Sequence, residues 1–363
     1  MVAAGMFIVI VPLLVFYAVG YRFDFSSTEQ NIRTVGGMYV STDAEGVQIY
    51  VDDMPVEDMR VFQRAAYVQN VNEGMRRVHV QGSGLSTWVK DLPVFAHYVT
   101  EVRSFNLPIT PQLRVITPWQ TVIGESVLFE SVASTTFASA STSNLFFVAT
   151  NTATSSYNVN NEYSYILTQF ASSSEEAQQR EMYRLHRAEP FLFAADIPTL
   201  GSTTVATTTK YARDRVLYEE EDELYVRYMG NPSNIPYYFC VQSTDLVQIS
   251  ELYGAHVAQS FASLQAATST LRTFMSGQQW CRDTIKVDRQ WQTVEWFDFH
   301  PELPDVVLIK SDDGLYGVEI DDRSWQNRQL LYDGTDFAVL VEGNEIYLRD
   351  GDYIMQILSQ LIE

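Results

Sequence analysis

The strongest constraint on this chain is a two-residue alternation running from Gly37 to Trp88. Met38 and Val40 alternate with Tyr39 and Ser41, a turn follows at Asp43 to Gly46, and Val47, Ile49 and Val51 then alternate with Gln48 and Tyr50. Successive side chains of a strand point to opposite faces, so this pattern builds one apolar face and predicts a β-hairpin. After a less regular passage, Val78 and Val80 share a face, Gly82 and Gly84 turn the chain, and Trp88 and Val89 begin the return. That is a second hairpin, able to cover the first.

The same residues carry a family resemblance. Gly37-Met38-Tyr39-Val40-Ser41-Thr42, Glu45-Gly46, Ile49-Tyr50-Val51-Asp52 and, further on, Gly74, Val78-His79-Val80 and Trp88 form a pattern that resembles the PEGA domain. The tetrapeptide Pro-Glu-Gly-Ala that names the family reads Ala44-Glu45-Gly46-Val47 here. The Gly that usually follows Tyr-Val-Asp is Asp53, and no Gly-x-Thr-Pro occurs between Met54 and Met59, so the stretch of about 36–105 is similar to a divergent member. The resemblance implies a small β-sandwich in a bacterial membrane protein whose domains stand outside the cytoplasm, at the cell envelope.

With 363 residues, 46% of them hydrophobic, the chain has room for two or three packed units at roughly 100 to 200 residues each. Its 45 acidic residues outweigh 24 basic ones, giving a formal net charge of −21. Such a surface repels polyanions, and no nucleic-acid partner is expected. Val2 to Tyr21 carries no formal charge, and about 20 such residues match the helix needed to cross ~30 Å of hydrocarbon. The expectation is a transmembrane anchor ending in interfacial aromatics. A cleaved signal peptide is the competing reading, with a shorter apolar part of about 7 to 15 residues. Arg22 just after the span opposes an outward orientation, and the resemblance is followed instead: membrane attachment through the N-terminal helix, single-pass, with the bulk of the chain extracytoplasmic.

The domain plan is an anchor at 1–21, a polar spacer at 22–35, the PEGA-like module at 36–105, a proline-marked linker at 106–120 and a larger β domain at 121–363. Within the last, Val216-Leu217-Tyr218 and Leu224-Tyr225-Val226, Val306 to Ile309 and Leu315-Tyr316-Gly317-Val318, and Phe337 to Val341 and Ile346-Tyr347-Leu348 recur as strand, acidic or Gly turn, strand. Trp296-Phe297-Asp298-Phe299-His300-Pro301 is similar to the start of a blade in TolB-type and WD-repeat propellers. The fold class expected is therefore mostly β: an N-terminal transmembrane helix, a small PEGA-like β-sandwich, and a larger β-propeller-like domain with one or two helical insertions. The insertions fall at Ser173 to Arg187, opened by a capping box with Glu176, and at Val257 to Met275.

Motifs for chemistry are missing from the sequence. There is no G-x-S-x-G elbow, no phosphate-cradling Gly-rich loop with Lys, and no H-E-x-x-H; the five histidines are not spaced as a metal motif. No catalytic residue, cofactor or metal site is assigned, and the Asp-Gly pairs read as hairpin turns. Tyr50 and His79 lie opposite the apolar faces of their strands and, with Trp88, form the candidate carbohydrate-binding set. The alternative for Trp88 is the small core. Cys240 and Cys281 allow one disulfide, with Cα atoms about 4.4 to 6.8 Å apart, if the domain faces an oxidising compartment. The leading expectation is a non-enzymatic envelope protein displaying binding domains for cell-wall glycan or another envelope protein. A surface glycan hydrolase using propeller carboxylates and a purely structural scaffold are the alternatives.

Overall fold

The computed structural model describes residues 2–18, 21–24, 31–56, 59–60, 64–118, 136–139, 146–149, 166, 170, 209–243, 245–266, 279–351 and 353–358. The expected helix at Ser173 to Arg187 lies outside the described residues.

The chain opens with helix α1 (Val2–Ala18), whose 17 residues rise about 25 Å at ~1.5 Å each, short of the ~30 Å of a bilayer core. No helix among the described residues is long and apolar enough to cross a membrane, which overturns the expected transmembrane anchor. Arg22 donates to the Tyr17 and Tyr21 carbonyls, lies over the Tyr17 ring at 3.6 Å, and reaches Asn70 Oδ1, so the helix is ended by its own successor. Tyr21 already belongs to β1 (Tyr21–Asp24), paired with the start of β2 (Asn31–Thr42) across the stretch expected to be a spacer.

Next come β3 (Val47–Val51), β4 (Met54–Pro55), β5 (Met59–Arg60), β6 (Ala65–Asn72), β7 (Gly74–Gly82), β8 (Trp88–Val94) and β9 (Val99–Ser104). One sheet runs β1-β2-β6-β5 with β9 parallel to β2, and the other runs β4-β3-β7-β8. The first expected hairpin is not one: β2 and β3 lie in different sheets, and the Asp43–Gly46 turn carries the chain between them. The second, β7 with β8, pairs antiparallel from Gly74↔Val94 to Val80↔Trp88. Alternation then does what the pattern requires, because Met38, Val40 and Val102 from one sheet share a buried cluster with Ile49, Val78, Val80, Trp88 and Leu92 from the other.

The remainder comprises β10 (Gln112–Pro118), β11 (Thr136–Ser139), β12 (Phe146–Ala149), β13 (Thr209–Ala212), β14 (Arg215–Glu220), β15 (Glu223–Tyr228), β16 (Cys240–Gln242), α2 (Leu246–Tyr253), α3 (Ala255–Ala266), β17 (Gln279–Cys281), β18 (Thr284–Val287), β19 (Trp296–Phe299), β20 (Val306–Ser311), β21 (Gly314–Glu319), β22 (Arg328–Asp333), β23 (Phe337–Glu342), β24 (Glu345–Asp350) and β25 (Tyr353–Leu358). They form meanders of unequal size: β13-β14-β15-β18, β19-β20-β21-β22, the six-stranded β12-β11-β10-β25-β24-β23, and the ribbon β16-β17. The mostly-β expectation holds, while several small sheets stand where a propeller-like ring was expected. β10 arises inside the stretch expected to be a linker and pairs with β25 near the other end of the chain.

The sandwich is not a free bead. Its core cluster continues into Leu308, Leu315, Leu348 and Ile357 of the C-terminal sheets. Buried Lys90 on β8 donates to the Asp321 carbonyl and pairs with Glu319 at 3.0 Å and Asp321 at 3.4 Å. Asn327 binds both the N–H and the carbonyl of Val89, and Gln329 bridges Phe105 and Leu107. Burial pushes the Glu319 carboxyl up against the pull of Lys90. Burial also acts to raise Asp321, but the Arg323 guanidinium, followed by Lys90, outweighs it and holds that carboxyl well below its usual range.

Candidate functional site: a cleft between sandwich and ribbon

The three residues expected to bind carbohydrate are not brought together. Tyr50 and His79 are opposite one another in the β3-β7 register and their rings stack at 4.4 Å on the outer face, with Gln81 donating to the Tyr50 hydroxyl. Trp88 pairs with Val80 and so takes the inner face, fully buried. Its indole Nε1 finds no hydrogen-bond partner among the described residues. It serves the core, while Tyr50 and His79 are half-buried on the outer face, with Asp53 Oδ1 3.8 Å from His79 Nδ1.

An open cleft of about 550 Å³ lies elsewhere, between the sandwich and the ribbon β16-β17. One wall is Pro93 of β8 and Phe95 just after it, with Val99, Thr100 and Glu101 of β9. The opposite wall is built by alternation in the ribbon. Cys240↔Cys281 and Gln242↔Gln279 share one face and line the cleft, while Val241 and Trp280 point the other way into a core with Ile249, Tyr253, Val257 and Phe261. The two cysteines, register partners in the ribbon, are joined as a disulfide with Cα atoms 4.0 Å apart, closer than the expected range.

Helix α2 holds the ribbon in place. Asp245 caps it by accepting from Val247 N, and Gly254, at φ +95°, permits the reversal into α3 that an L side chain would resist. Tyr253, in the last turn, accepts a hydrogen bond from Gln242 N while lining the cleft. The helical insertion was expected at Val257 to Met275; the described helices begin earlier, with Leu246.

Tyr237 and Arg323 complete the lining. Arg323 is buried, binds Asp321 and the Glu101 carbonyl, and lies 4.8 Å from the Tyr237 ring centre, so its charge is already committed. Burial raises the hydroxyl of Tyr237 well above its ordinary value and raises that of Tyr253 as well, so both remain neutral donors and acceptors at physiological pH. Gln242 Oε1 is buried and finds no donor among the described residues. A buried carbonyl oxygen left unpaired costs on the order of 1 to 3 kcal/mol, a cost the ribbon carries behind the cleft surface. The cleft thus presents aromatic faces, carboxamides and neutral hydroxyls, which suit recognition of a neutral polar or mixed ligand.

Alternation in Cys240-Val241-Gln242 and Gln279-Trp280-Cys281 was the available signal for this wall, but three-residue strands fall below the length at which a period can be read. Nothing local in the sequence marks Phe95, Val99 or Glu101 as facing them.

No family model matches the chain, and no curated protein matches it. Among solved structures, the chain is similar to the Bacillus anthracis TIE protein at 13% identity and a TM-score of 0.18, with 32% of this chain covered. The chain spans about a quarter (26%) of the length of that protein.

Proposed function

We propose that the protein is a non-enzymatic binding protein of the cell envelope, working outside the cytoplasm, and that it captures an envelope component in the cleft between the sandwich and the disulfide-bonded ribbon. The observation that carries this reading is the cleft itself, whose walls are both tied to the segment 319–322, the sandwich through Lys90 with Glu319 and Asp321 and the ribbon through Arg282, next to Cys281, with Asp322. The Cys240–Cys281 disulfide supports the compartment, since such bonds persist where the milieu is oxidising. The PEGA-like pattern of 36–105 supports the envelope setting.

The test is co-sedimentation of the purified protein with isolated cell envelopes. The wild-type chain is expected to bind, Gln279→Trp to lose at least tenfold by filling the cleft, and Tyr50→Ala with His79→Ala to bind as wild type. Binding that survives Gln279→Trp but fails with the Tyr50 and His79 changes would move the site to the outer face of the sandwich.

A further inference from the structure

Strand β9 is an edge. It pairs in parallel with β2 from Gly37↔Val99 to Thr42↔Ser104 and, among the described residues, with no other strand. Backbone groups of a strand alternate in direction. Gly37 N bonds the Tyr98 carbonyl and Ser41 Oγ bonds the Val102 carbonyl, so residues 98, 100 and 102 face β2. Val99 and Glu101 therefore direct their N–H and C=O groups away from it. Among the described residues only the Glu101 carbonyl is taken there, by Arg323 Nη2 at 2.8 Å. Val99, Thr100 and Glu101 line the cleft, so this unpaired backbone faces an open groove wide enough to admit another chain.

We propose that the cleft takes an extended peptide segment of a partner protein, added as a strand to the free edge of β9. This rests on the reading of the cleft as the binding site and names the ligand class. Strand addition gives affinity through main-chain hydrogen bonds and specificity through alternate side-chain pockets. Here the Val99 and Glu101 N–H groups and the Val99 carbonyl supply the main-chain partners. Alternate side chains of the added strand face the wall of Ile235, Tyr253 and the cystine, where small apolar groups fit. The remaining side chains point to solvent beside exposed Glu101, on a chain of net charge −21, so the segment is neutral or basic there. At ~3.3 Å per residue, about four residues span the exposed edge and its flanks.

Proline separates backbone pairing from side-chain contact. Glu101→Pro removes an N–H that β2 does not use and follows Thr100, which is already extended, so an edge position tolerates it. Glu101→Ala keeps the N–H. Co-sedimentation with isolated envelopes is expected to fall no more than about threefold for Glu101→Ala, which loses only an exposed charge, at least tenfold more for Glu101→Pro, and to be abolished when the envelopes are first treated with protease. Equal binding by the two variants overturns strand addition while leaving the cleft as the site, and so does binding that survives protease but not muramidase, which identifies a glycan. Self-association of the protein alone that Glu101→Pro abolishes would put a second copy on the edge and likewise overturn the proposal. Absence of wild-type binding overturns both readings. Should Glu101→Pro lose its cooperative unfolding transition, amide exchange at Glu101 in the wild-type chain decides: at least tenfold slowing with envelopes is expected, and no slowing overturns it.

Discussion

His300 shows how one buried side chain acquires a pH signature. Its Nδ1 accepts from the backbone N–H groups of Glu302 and Leu303, which fixes the neutral ring, and burial lowers its pKa from 6.5 to about 3. Below about pH 6.5 the unfolded chain takes up a proton that the folded chain refuses. The stability linked to this residue is therefore fully present above that pH and is lost as pH falls toward 3. Between pH 7 and 4.5 the loss is expected to be about 2 to 3 kcal/mol at 1.36 kcal/mol per unit. Urea midpoints at the two pH values check this: His300→Asn, which keeps an acceptor, should flatten the decline, and parallel declines would contradict it. The sequence offered His300 only as part of a blade-like opening, because burial is a property of the assembled sheets. Trp88, which the sequence offered as a ligand-binding residue with the small core as its alternative, belongs to the core because its register opposite Val80 turns it inward.

At the scale of elements, strands with five or more alternating residues were readable from the sequence, and their partners were not. β7 and β8 form the expected hairpin because a short turn leaves few alternatives. β2 and β3 are separated by a turn just as short, yet enter different sheets, because each has an apolar face to bury and a sandwich buries both. The ribbon β16-β17 is too short to hold itself together by its ladder. It relies on the core behind it and on the disulfide, which closes a loop of sequence separation 41. On the chain-entropy model this contributes about 4 kcal/mol. Joint replacement Cys240→Ala and Cys281→Ala should lower unfolding stability by that order in urea titration, and a loss below about 1 kcal/mol would show that the insert is held by packing alone. The apolar N-terminal stretch was misread because composition does not show where a helix stops; Arg22 turning back onto Tyr17 does.

The whole molecule is a set of small sheets whose relations are fixed by side chains far apart in sequence, such as Lys90 with Glu319 and Gln329 with Phe105. A site formed by that docking leaves no local motif, which is why Tyr50 and His79 were visible in the sequence and the cleft was not. The cleft's role as the capture site can be read directly by placing a photo-crosslinking residue at its rim. Ser233, exposed beside the cleft, and Tyr50, on the outer face of the sandwich, are replaced one at a time by p-benzoylphenylalanine and irradiated with isolated envelopes. Cross-linked adducts from position 233 should exceed those from position 50 at least tenfold. Equal yields, or adducts only from position 50, would contradict the account.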